Sequence, residues 1–110
     1  MTFDEYQQQA PATLVRHPDP LMNKTILAMG VAGEAGEVLE KWKKIVGYKE
    51  GVISDEDRAE LGKELADVIW YIAVLAHELG LSLDDLMKQN QEKLLSRKKR
   101  GVQKGQGDNR

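Results

Sequence analysis

Apolar residues recur three and four positions apart through long stretches of the chain, and no segment alternates apolar with polar, so helices are expected and strands are not. A short first helix is predicted from Thr2, whose side chain can cap it while Glu5 reaches back in a capping box; it should fail near Pro11. "RHPDP", residues 16–20, reads as a connector. A second helix runs from about Leu21 to Val46 and stops at Gly47, which can take the left-handed conformation that ends helices. The stretch "GYKEGVI" follows as a loop. Ser54 with Asp57, and acids at 55 and 56 in the first turn, open a third helix that continues to about Leu79, with Gly80 as its stop. Ser82 with Asp85, braced by a hydrophobic staple between Leu81 and Leu86, opens a fourth helix to about Arg100. The pattern predicts an all-α domain over residues 1–101 and a disordered polar tail over 102–110, dispensable for folding.

Composition narrows this picture. With 110 residues and 41% hydrophobic content the chain holds one domain with a modest core. The absence of cysteine excludes a disulfide framework and thiolate metal sites, and no apolar run suits a leader or a membrane span. A soluble cytoplasmic protein is expected, with no membrane partner. The net charge is -2, from 16 basic and 18 acidic residues, so the whole molecule carries no nucleic-acid signature, although "RKKRGVQK" gathers basic residues at one end.

The placement of charge is more informative than its sum. At about 100° per residue, Leu27, Val31, Glu34, Val38, Trp42 and Ile45 share one face of the second helix, with Glu37 and Lys41 along its border. On the third helix Leu61, Glu64, Val68, Ile72, Leu75 and Leu79 share a face, and Asp67 borders it. Two long helices joined by a short loop are antiparallel neighbours, and Glu37 and Glu64 are each roughly 13 Å from the loop end at about 1.5 Å per residue. The two acidic pairs then meet at one level. A lone Glu-x-x-Glu is ordinarily a solvated helix edge; two pairs at equal height are less ordinary.

Carboxylates crowded into a partly dry space repel one another and take up protons unless cations neutralise them. Oxygen ligands without His or Cys favour Mg²⁺, with Mn²⁺ as the alternative, and Mg²⁺ recruits substrate phosphates to complete its octahedron. A phosphorylated substrate is therefore expected. His17 and His77 follow no Glu-x-x-His pattern, which excludes a di-iron carboxylate bundle. The glycines at 30, 33 and 36 read as points where a helix or ligand approaches closely, each costing about 1 kcal/mol of helix propensity. On the fourth helix Asn90, Lys93 and Arg97 form one stripe, able to clamp a polyphosphate opposite the acids or to serve as a solvated basic edge.

"GEAGEVLEKWKK", "ELADVIWYIA", "LGLSLDDL" and "NQEKLLSRKKRG", in that order and preceded by "YQQQA", resemble the MazG-like nucleoside triphosphate pyrophosphohydrolases, a group of all-α NTP pyrophosphatases. The likeness spans about Tyr6 to Gly101. It implies a four-to-five-helix MazG-like bundle with an antiparallel central helix pair, completed by oligomerisation as a homodimer or homotetramer. It also implies Mg²⁺-dependent hydrolysis between the α and β phosphates of a nucleoside triphosphate, giving a monophosphate and pyrophosphate in a housecleaning role. Carried over by motif, Glu34, Glu37, Glu64 and Asp67 would bind the metals and act in catalysis. Lys41, Lys44, Lys93 and Arg97 would meet the phosphates, with Asn90 assisting. Trp42, Trp70 and Tyr71 are readable as base-stacking groups or as helix packing. A phosphoribosyl-ATP pyrophosphohydrolase, a nucleotide-sensing helical module without catalysis, and a nucleic-acid-binding helical dimer using the basic C-terminus are the competing expectations. Independently, "VIWYIAVLA", residues 68–76, is apolar almost all round the helix and calls for self-association.

Overall fold

A computed structural model describes residues 1–110. It is all-helical: α1 spans Phe3–Gln9, a 3₁₀ turn Ala10–Thr13, α2 Pro20–Lys49, α3 Asp55–Glu78 and α4 Leu83–Arg100. Each start has a local cause. Thr2 Oγ1 accepts the Glu5 N–H at 3.0 Å, Asp19 Oδ1 accepts that of Leu21 at 3.0 Å just ahead of Pro20, and Ser82 Oγ accepts that of Asp85 at 3.2 Å. Ser54 and Asp57 bond reciprocally, at 3.0 and 3.1 Å, in a capping box. Pro11 turns α1 into 3₁₀ geometry, as its missing N–H requires.

The second helix overruns its expected end. Gly47 lies inside α2; the left-handed residues are Glu50 (φ 53°) and Gly51 (φ 78°), and the Gly51 N–H closes the helix on the Ile45 carbonyl at 3.1 Å. The extra turn is held by Lys49, whose Nζ lies 2.6 Å from Asp57 Oδ1 at the start of α3.

α2 and α3 form the long antiparallel pair: Leu27 packs with Val74, the Tyr71 ring lies on Gly30, and Lys41 reaches Glu60. α3 is packed on two sides. Ala10 and Leu14 close over Leu27 and Val74, while α1 grips the corner between α3 and α4. Gln7 does most of the gripping. Its buried amide donates to the carbonyls of Ala73 at 3.2 Å and Leu81 at 2.9 Å and accepts the Leu83 N–H at 2.9 Å.

This two-sided packing rotates the buried face of α3 away from the one the apolar spacing suggests. Small residues, Ala73 and Ala76, are buried with Val74 because they let the neighbouring elements approach, whereas Ile72 and Leu79 stay exposed. Trp42 is likewise exposed rather than packed with Leu27 and Ile45. Residues 102–110 contain turns and bends without a helix or strand and run beside α4, with Arg110 donating to the carbonyls of Val102, Gln103 and Gly107. No single helix is long and apolar enough to cross a membrane.

Candidate metal centre

The register that sets Gly30 against Tyr71 and Lys41 against Glu60 also brings carboxylates face to face across α2 and α3. One oxygen each of Glu34, Glu64 and Asp67 lies within 4.8 Å of the other two. Glu34 and Glu64 are half-buried between the helices, and Asp67 is exposed at the rim. Around a hexacoordinate cation with bonds of about 2.1 Å, ligand oxygens sit roughly 3 to 4 Å apart, so a small closure of these side chains would suffice. The donor set is all oxygen, which suits a hard divalent ion.

Glu37, on the next turn of α2, is exposed and its oxygens do not join this group. Its charge still acts there. The Glu34 carboxyl is held above the ordinary glutamate value, first by loss of water around it and then by the negative charges of Asp67, Glu64 and Glu37. The one cation at the cluster is Lys41, whose Nζ lies 3.5 Å from Glu64 and 3.8 Å from Glu60. Glu60 extends the acidic row by one turn. The spacing 60, 64, 67 on one stripe of α3 is the signal that sequence reasoning passed over.

The other expected site residues are dispersed. Lys44 pairs with Glu40 of its own helix at 3.8 Å and, with Lys41, Tyr48 and Lys49, lines a cleft of about 350 Å³ between the acids and the α2–α3 turn. Asn90, Lys93 and Arg97 lie on α4, which packs on α1 and α3 but not on α2, so within one chain they do not face the carboxylates. Their anion is Asp108 of the tail: its carboxylate lies 2.8 Å from Lys93 and 3.4 Å from Arg97, and its carbonyl accepts from Arg97. Arg97 is buried and its Nε has no partner.

Trp70 and Tyr71 are built into the packing. The Trp70 indole N–H lies 3.1 Å from both the Ala10 carbonyl and Thr13 Oγ1, and the Tyr71 ring stands edge-on to it at 4.9 Å. Both residues are half-buried. Trp42 is exposed.

A family profile described as the MazG nucleotide pyrophosphohydrolase domain matches residues 22–102. Over the whole length of both chains, this protein is 44% identical to the gene 37 protein of Mycobacterium phage L5. It is 52% identical to the uncharacterized protein YvdC of Bacillus subtilis (strain 168) over 42 residues, 38% of this chain and 40% of that one. No solved structure matches.

Proposed function

The chain belongs to the MazG nucleotide pyrophosphohydrolase family, and on that footing we propose that it is a Mg²⁺-dependent enzyme cleaving the α–β phosphate bond of nucleoside triphosphates. The observation that carries this reading is the convergence of Glu34, Glu64 and Asp67 from two helices onto one small space. With Glu37 beside them, these residues would hold the metal. When bound, divalent ions supply positive charge to phosphate oxygens and acidity to water.

The chain's own groups do the rest. Lys41, now shared between Glu60 and Glu64, is placed to turn toward a phosphate chain once metal neutralises the acids, and Lys44 stands one turn further along the same helix. Glu34 or Glu37 would take the proton of the attacking water. Its oxygen adds to the α phosphorus while the bond to the bridging oxygen breaks, and pyrophosphate departs with that electron pair. Lys93 and Arg97 remain candidates for phosphate because their geometry already holds a carboxylate, and Asn90 lies one turn before Lys93 on the same helix. Removal of surplus or damaged nucleotides is the role this chemistry would serve.

The test is an assay with Mg²⁺ and a panel of ribo- and deoxyribonucleoside triphosphates, scored for pyrophosphate and monophosphate together. Glu37→Gln and Glu64→Gln should each abolish turnover. Stepwise release of orthophosphate, or unchanged turnover in both variants, would reject the reading.

A further inference from the structure

The net charge of -2 conceals a segregation. Residues 1–87 hold eight basic and sixteen acidic side chains, whereas residues 88–110 hold eight basic and two acidic. The two parts also differ in how their cations are engaged. Before Lys88, seven of the eight basic side chains form ion pairs, Lys24 being the exception. From Lys88 onward only Lys93 and Arg97 pair with an acidic side chain, and both do so with Asp108. Lys88, Lys98, Lys99 and Lys104 are exposed and unpaired, and Arg100, also exposed, donates to Ser96 Oγ and to the main-chain oxygen of Arg110.

Shape sets this charge apart. α4 leaves α3 at a bend of 107°, and its hydrogen bonds to other helices all lie at Ser82, Leu83 and Asp84, where Asp4 and Gln7 hold its start. Its 18 residues span about 27 Å, so the basic last turn lies far from that corner. Lys98, Lys99 and Arg100 succeed one another at about 100° and face three sides of the helix end, and Lys104 follows in the tail. A cation or two would complement the negative end of the helix dipole, but Lys88 and Lys104 lie outside that turn.

We propose that this arm docks on the phosphate backbone of duplex nucleic acid without reading its sequence. The partner's chemistry follows from what the arm has and what it lacks. Unpaired cations attract phosphates and release the counterions condensed on them. Among residues 96–110 Val102 is the single apolar side chain, and Leu94 and Leu95, exposed just before, point about 100° apart, so there is no apolar stripe to enter a lipid surface. Residues 88–110 contain no aromatic ring on which unpaired bases could stack, which disfavours a single strand. A helix end charged on three sides suits a major groove walled by phosphates on both sides. The acidic remainder of the chain repels the same partner and limits docking to the arm. This surface does not depend on the proposed reaction.

The experiment is fluorescence anisotropy of a labelled DNA duplex of about 20 base pairs, titrated with the full chain in chelator from about 25 to 150 mM KCl. The logarithm of affinity should fall against the logarithm of salt with a slope of about -4, at about 0.9 for each phosphate contacted. Lys98→Gln, Lys99→Gln and Arg100→Gln combined should flatten that slope by about 3 and weaken binding about tenfold or more, with the helical circular dichroism unchanged. Lys43→Gln, Arg58→Gln and Lys63→Gln combined, the same loss of charge on the body, should leave the slope as in wild type. A single strand of equal length and phosphatidylserine vesicles should both bind more weakly than the duplex. No binding at the lowest salt, an arm variant with the wild-type slope, a body variant that flattens it equally, or a single strand or vesicles bound as tightly as the duplex would overturn the proposal.

Discussion

The Tyr71 ring lies so close over Gly30 that a Cβ built on the glycine would come within 2.2 Å of Cε1 and 2.3 Å of Cδ1. The ring has no easy retreat, since Trp70 stands edge-on to it at 4.9 Å and is itself tied to Ala10 and Thr13.

Gly30→Ala should therefore destabilise the fold. Overpacking costs about 1–3 kcal/mol, against which alanine regains about 1 kcal/mol of helix propensity, so the net loss is expected to be about 1 kcal/mol. A Cβ at Gly36 meets nothing within 4 Å, and Gly36→Ala should raise stability by about 0.5–1 kcal/mol. Urea denaturation of the two variants checks the signs. Equal shifts would mean that the Tyr71 contact does not constrain Gly30.

Acid should unfasten the α2–α3 turn. Asp57 is pulled from 3.8 to about 2, chiefly by its hydrogen bond from Lys49 and then by the Ser54 N–H. Because its folded value is depressed, its contribution is present above the unfolded value, about 4, and is lost as pH falls through about 2. Asp57→Asn should melt earlier than wild type at neutral pH and converge with it near pH 2. Thermal melts across that range measure the gap. A gap that stays constant with pH would mean that the Asp57 charge contributes nothing.

The element order was legible because Thr2, Ser54, Ser82 and Gly80 act within a few residues of themselves, and caps of that kind are local chemistry. The facing of Glu34, Glu64 and Asp67 followed from helical spacing and the short α2–α3 connection, whereas Glu37, expected at the same level, stays outside the group. What failed was set at a distance. Ile72, Leu79 and Trp42 fit the apolar period but are exposed, because α3 is packed by elements on two sides and the period cannot reveal how many. Gln7 was invisible to any hydrophobic pattern, being a polar residue buried only because three backbone groups around the α3–α4 corner need it. Of the glycines at 30, 33 and 36, only the first is a close approach within this chain.

The tail and the α4 cations make a separate test. Asp108 is held below the usual carboxylate range, first by its hydrogen bond and charge interaction with Lys93 and then by Arg97. If Lys93 and Arg97 meet phosphate in the working enzyme, Asp108 competes for them. Asp108→Asn should then lower KM for a triphosphate a few-fold, while Lys93→Met raises it, with kcat less affected in the first case. Steady-state kinetics decides; identical KM values in all three proteins would remove the α4 stripe from substrate binding.

Magnesium should reverse an electrostatic cost that the chain carries alone. Glu34 is raised above its ordinary value by desolvation and by Asp67, Glu64 and Glu37, so the folded state holds its proton more tightly than the unfolded state does. That favours folding below the unfolded value, and the benefit disappears as pH rises through the raised folded value, leaving the charged form opposing folding at neutral pH. Glu34→Gln should accordingly melt a few degrees higher than wild type in chelator at neutral pH, an advantage that vanishes in acid. Saturating Mg²⁺ should lift the wild-type melting temperature by mass action and lift that of Glu34→Gln much less, because the variant lacks one of the converging oxygens. Differential scanning calorimetry with and without Mg²⁺ separates the two effects. A variant no more stable in chelator would deny the repulsion, and an equal Mg²⁺ increment in both proteins would place the ion elsewhere.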